Sequence, residues 1–108
     1  MGAEKESRFG LTALYERIRE RQREGRPELS YVARLSQSGQ DAVLQKIGEE
    51  CIELLLAAKG GAQPAMIHEL ADLHFHLLVW MGLAGLSLED LEGELTRRSV
   101  PSPQTHNL

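Results

Sequence analysis

The chain has 108 residues, 42% of them apolar and 26% charged, with a formal net charge of −4. That length holds one domain, 1–108, and the mixture is that of an ordinary folded protein rather than a disordered or fibrous one. The acidic balance lacks the basic face that nucleic-acid binding needs, so no nucleic-acid partner is expected.

The first seven residues are polar and carry no apolar run, so no leader is expected there. Residues 9–24, FGLTALYERIRERQRE, set Leu11, Leu14, Tyr15 and Ile18 at helical spacing, and Gly25 with Pro27 ends that helix. Ser30 is placed to cap a short helical turn carrying Tyr31, Val32, Arg34 and Leu35, which Ser38-Gly39 breaks. Residues 40–59 form a first long helix, stopped by Gly60-Gly61. Residues 63–84 form a second, with Pro64 in its first turn and Gly85 at its end. Ser87 then caps LEDLEGELTRR, with Asp90 three residues on in a capping-box arrangement. The ordered core is expected over about 9–98, and the proline-bearing tail 99–108 is expected to be disordered.

Val and Ile are sparse and no stretch alternates with period two, so the expected class is all-α. The longest apolar stretch, 77–86, is too short and too broken by glycine to span a bilayer, so no membrane association is expected. The single cysteine, Cys51, excludes an intrachain disulfide and points to a reducing, cytoplasmic compartment. Within an apolar helix it reads as a small core residue. Two long apolar helices and three minor ones make a thin core for one copy. A helical bundle with two long antiparallel helices, completed as a four-helix bundle in a homodimer, would cover them.

The stretch QKIGEECIELLLAAKGG, 45–61, carries Glu49, Glu50 and Glu53 in its first half. At about 100° per residue they share one arc with Lys46, while Ile47, Leu54 and Leu55 lie elsewhere. Alone, that arc reads as a solvated face. The second long helix offers no such face: Glu69, Asp72 and His76 share a side with Leu73, Val79, Phe75 and Trp80. A buried carboxylate without a partner is costly. If the helices pack antiparallel across the diglycine, Glu53 and Glu69 lie about eight residues from the turn, and Glu50 and Asp72 about eleven. At ~1.5 Å per residue each pair then shares a height. Two carboxylates about 4–5 Å apart repel by roughly 3–4 kcal/mol at an effective dielectric near 20. A hard divalent cation resolves that repulsion, and ligation by oxygen alone suits Mg²⁺, with Mn²⁺ as a substitute, rather than zinc.

The other polar groups have local readings. His76 either hydrogen-bonds Asp72 from behind the ligands or is a satisfied core histidine. His68 and His74 fall off the acid arc and read as packing or surface residues. Lys46 precedes Glu50 by four residues and is placed to pair with it. Lys59 suits the negative end of its helix. Trp80 reads as core or dimer seam.

GEECIE followed by ELAD has the form E-E-x-x-E … E-x-x-D, which resembles the all-α nucleoside-triphosphate pyrophosphatases of the MazG type. SYVARL (30–35), QKIGEECIE (45–53), AAKGG (57–61) and ELADLHFHLLVW (69–80), in that order, resemble the phosphoribosyl-ATP pyrophosphohydrolases of histidine biosynthesis over about residues 11–98. Cys51 stands where such sequences often have a small residue, and HFHLL replaces a commoner LYHLL-like stretch. The resemblance implies Mg²⁺-dependent hydrolysis of phosphoribosyl-ATP to phosphoribosyl-AMP and pyrophosphate, by water attack at the α-phosphorus. It also implies roles: Glu50, Glu53, Glu69 and Asp72 as metal ligands, and Glu49 as the acid that positions or deprotonates water. Lys46 and Lys59 would face phosphate, with Arg34 and Tyr31 near the nucleotide. Two other readings share some of these features. One is a house-cleaning pyrophosphatase of the same fold, which should lack a segment like SYVARL. The other is a non-enzymatic helical dimerisation module, in which the acids would be a surface feature.

Overall fold

The computed structural model describes residues 9–100. Among these it is all-α, with helices α1 (Leu11–Glu24), α2 (Tyr31–Gln37), α3 (Gln40–Gly60), α4 (Gln63–Ala84) and α5 (Leu88–Arg98). Each boundary follows from local chemistry. Ser30 Oγ accepts from the Ala33 N–H at 3.2 Å and starts α2. Gly61 adopts φ 79°, closed to most side chains, and its N–H returns to Ala57 O to finish α3. Gly85 ends α4, and the chain then bends by 109° into α5. There Ser87 Oγ accepts from Asp90 N while Asp90 Oδ2 accepts from Ser87 N, the reciprocal box the sequence predicts. The expectation for the tail falls on residues 101–108, outside the described residues, apart from Ser99 and Val100.

The core lies where α1, α2, the start of α3 and the second half of α4 meet. Ile18, Val43 and Val79 are fully enclosed there, with Tyr15, Val32, Leu35, Leu78, Met81 and Leu88 around them. A polar clasp crosses this core. Gln22 Nε2 donates to Ser36 Oγ and to Val79 O, each at 3.1 Å, and Gln22 Oε1 accepts from Arg19 at 3.1 Å. The clasp fits because position 82 is glycine: a Cβ there would stand 2.2 Å from Gln22 Oε1.

The rest of the α3–α4 hairpin projects as an arm. α3 buries only Val43 and Glu50, and the buried residues of α4 begin at His76. On the arm Ile52, Leu55, Leu56 and Ile67 are each more than half exposed. Cys51 belongs to this stripe and is exposed, not a core residue. Its neighbours are apolar as expected, but among the described residues no other helix covers that side of α3. Among the described residues no single helix is long and apolar enough to cross a membrane.

Candidate active site

The two-residue link at Gly61-Ala62 folds α4 back along α3, and the acids meet at the base of the arm. Glu50 points inward and is 6% exposed. Single carboxylate oxygens of Glu50, Glu53 and Glu69 lie within 4.8 Å of one another. A second group, His68, Glu69 and Asp72, meets the same limit and shares Glu69 with the first. The sequence pairs Glu53 with Glu69 and Glu50 with Asp72, and these are the neighbours that act on each other's charge. Burial lifts the Glu50 carboxyl above the ordinary range, and the charges of Glu53 and then Asp72 lift it further. Burial also lifts Glu69, helped by Glu53.

Glu50 Oε2 and Glu69 Oε2 are buried without a hydrogen-bond partner. Among the described residues, no lysine or arginine lies within ion-pairing distance of these four acids; the basic side chain that reaches them is His68. Unpaired buried oxygens facing further carboxylates fit a divalent cation, which satisfies oxygen lone pairs and cancels the repulsion together.

The remaining predicted residues divide. Lys46 is half-buried and lines a cavity of about 200 Å³ with Ala42, Gln45 and Glu49. It does not pair with Glu50, whose carboxylate turns into the hairpin instead. Glu49 is exposed, accepts from Gln45 Nε2 at 3.4 Å, and joins neither ligand group. Lys59 is exposed in the last turn of α3.

His76 connects the acids to α2. Its Nδ1 lies 2.8 Å from Asp72 O, and a carbonyl accepts only, so Nδ1 carries the proton. Nε2 then accepts from the Tyr31 hydroxyl at 3.3 Å. The bond to Asp72 thus lands on the backbone carbonyl one helical turn back, not on the carboxylate. The Tyr31 ring stacks on Phe75 with centroids 6.0 Å apart, and the Arg34 guanidinium lies over the Tyr31 ring, 5.8 Å from its centroid. Arg34 is steadied by donating to Pro27 O at 2.9 Å.

His68 is a surface residue, as the wheel has it, yet its ring reaches the acids. Its Nε2 lies 3.3 Å from Asp72 Oδ2 and 3.9 Å from Glu69 Oε1. A long side chain swings across an arc, and the i,i+4 spacing from His68 to Asp72 was the signal that could have found it. His74 stays apart, exposed, with Nδ1 on Leu70 O at 2.8 Å. Trp80 is half-buried against the core as expected.

The family model for phosphoribosyl-ATP pyrophosphohydrolase matches residues 11–99. A phosphoribosyl-ATP pyrophosphatase of Pelotomaculum thermopropionicum is 48% identical over 85 residues, covering 79% of this chain and 86% of that protein. One from Burkholderia ambifaria is 54% identical over 78 residues, covering 68% of this chain and 64% of that protein. One from Dechloromonas aromatica is 47% identical over 72 residues, covering 67% of each.

Proposed function

The chain belongs to the phosphoribosyl-ATP pyrophosphohydrolase family, and on that premise we propose how its residues divide the work of hydrolysing phosphoribosyl-ATP to phosphoribosyl-AMP and pyrophosphate in histidine biosynthesis. The observation that carries the reading is the pair of buried, unpartnered oxygens on Glu50 and Glu69 among four converging carboxylates. Glu50, Glu53, Glu69 and Asp72 hold Mg²⁺, with Mn²⁺ as a substitute. The ion supplies neutralisation of the triphosphate and a more acidic bound water.

The chain's own groups do the rest. Water oxygen bonds to the α-phosphorus, the bridging oxygen leaves with pyrophosphate, and the water proton passes to a carboxylate, for which Glu49 is exposed and free of the ligand groups. Lys46 and Lys59 are the cations of α3 available to the triphosphate. Tyr31 and Arg34 bear on the nucleoside, and His76 holds the Tyr31 hydroxyl at a fixed distance from the metal helix. The proposed setting is the cytoplasm.

The test is pyrophosphate release from phosphoribosyl-ATP, with ATP and dUTP as rivals. Release from phosphoribosyl-ATP that stops in EDTA and returns with Mg²⁺ is the expected result. Release mainly from the rivals would assign the site to a house-cleaning role.

The arm supports a homodimer. Ile52, Leu55, Leu56 and Ile67 are each more than half exposed, and two arms side by side would enclose them in a four-helix bundle. Light scattering is expected to give twice the chain mass, and Leu56→Glu to reduce it to one. A wild-type monomer at micromolar concentration would sink this arrangement.

A further inference from the structure

The acidic centre has been treated so far as an oxygen site, yet one of its edges carries nitrogen. His68 Nε2 lies 3.3 Å from Asp72 Oδ2 and 3.9 Å from Glu69 Oε1. Two ligands held at about 2.1 Å on one ion stand roughly 3.0–3.4 Å apart, depending on tetrahedral or octahedral angles. The His68–Asp72 separation already has that bite, and the Glu69 oxygen needs to close by only about 0.5 Å. The two ligand groups share Glu69, and the adjoining group contains Glu50, 6% exposed, with an oxygen that has no partner. So the cluster has an unmet demand for positive charge, and a neutral imidazole adds a ligand there without adding negative charge.

We propose that His68, with Glu69 and Asp72, forms a nitrogen-bearing metal position that takes borderline transition cations, of the Zn²⁺ and Co²⁺ class, in preference to Mg²⁺. The proposal rests on the reading of the four acids as a metal centre and adds a selectivity that oxygen ligands alone would not give. Imidazole favours the later first-row ions, whereas Mg²⁺ prefers oxygen. The His68 side chain is 71% exposed, so the position is open to solvent and retains sites for water or phosphate oxygen. Glu69 and Asp72 would be common to this position and to the oxygen centre they form with Glu50 and Glu53.

Titration calorimetry on the full chain, without substrate, with CoCl₂, ZnCl₂ and MgCl₂ separately, tests this, together with the visible spectrum of the Co²⁺ form. His68→Ala and His68→Gln are compared with wild type, and circular dichroism verifies the helices. The expected result is a loss of Co²⁺ and Zn²⁺ affinity of at least about 10- to 100-fold, the scale seen when even an outer partner of a metal ligand is removed. The Co²⁺ bands should change with it, while Mg²⁺ affinity stays within about twofold, since an oxygen-seeking ion does not need the imidazole. Unchanged Co²⁺ affinity and spectrum in both variants would overturn the proposal and leave the acidic centre intact, with His68 only an ion-pair partner of Asp72. An equal loss for Mg²⁺ would overturn the claimed selectivity. Failure of the wild-type chain to bind any of the three ions would overturn the metal centre itself, and this proposal with it.

Discussion

Glu69→Ala is expected to cut pyrophosphate release at least about a hundredfold, the scale on which removing a single stabilising group at a reacting phosphate or carbonyl registers. Glu69 is the one residue common to both groups of potential ligands, so its loss opens both. The same substitution should leave the fold standing. The side chain reaches no hydrogen-bond donor with its buried oxygen, and its charge faces that of Glu53. Removing it relieves a repulsion, so the metal-free variant should melt at or above the wild-type temperature. Steady-state rates and thermal melts in EDTA measure both halves. Activity within threefold of wild type would detach Glu69 from the chemistry, and a lowered melting temperature would mean the carboxylate has a stabilising contact.

Glu50→Gln is expected to invert the relation between metal and stability. In the folded, metal-free chain burial raises the Glu50 carboxyl above its ordinary range, with Glu53 and Asp72 adding to the rise and His76 opposing it. The native state therefore keeps a proton that the unfolded chain has released. Its stabilising effect is fully present below the ordinary carboxylate pKa and is lost as pH rises through the raised one. Metal-free wild type should thus fall in melting temperature relative to Glu50→Gln as pH rises above the ordinary carboxylate range. At pH 7 the variant should melt higher in EDTA by about 4–8 °C, the shift that ~1 kcal/mol produces in a domain of this size. Mg²⁺ should raise wild type and leave the variant nearly unmoved. Melts at one fixed protein concentration decide the matter, and parallel curves across the pH range would show that Glu50 already has its charge compensated.

The helix limits were legible because they rest on residues acting alone or on near neighbours. Gly25, Gly61 and Gly85 stop helices by their own backbone, and Ser30 and the Ser87–Asp90 box start them by bonds three residues long. The meeting of the acids was legible for a similar reason: one tight turn fixes the register of both helices of the hairpin. Cys51 was not legible, since periodicity shows which face is apolar but not whether anything covers it. Lys46 and His76 fall between. Their positions on the helices followed from spacing, but their partners depended on rotamers. Lys46 parts from Glu50, and His76 reaches the backbone of Asp72 and the hydroxyl of Tyr31. His68 lies on the surface as placed, but its reach to Asp72 was not legible, because a wheel records where a side chain begins rather than where it ends.

The hairpin that gathers the acids also sets how the site comes into being during folding. Every proposed metal ligand lies between Glu50 and Asp72, across a link of two residues. Closing so short a loop sacrifices little chain entropy, and contacts between near neighbours in sequence form rapidly. The repulsion among the acids opposes that zipping, so divalent ions, if held as proposed, would act on an early event rather than on a finished cavity. The residues proposed to bear on the nucleoside, Tyr31 and Arg34, come from outside this segment, and Tyr31 docks beside it through His76. Ion capture and nucleotide recognition are therefore separable in the order of assembly, with the first available to a chain that has yet to acquire the second.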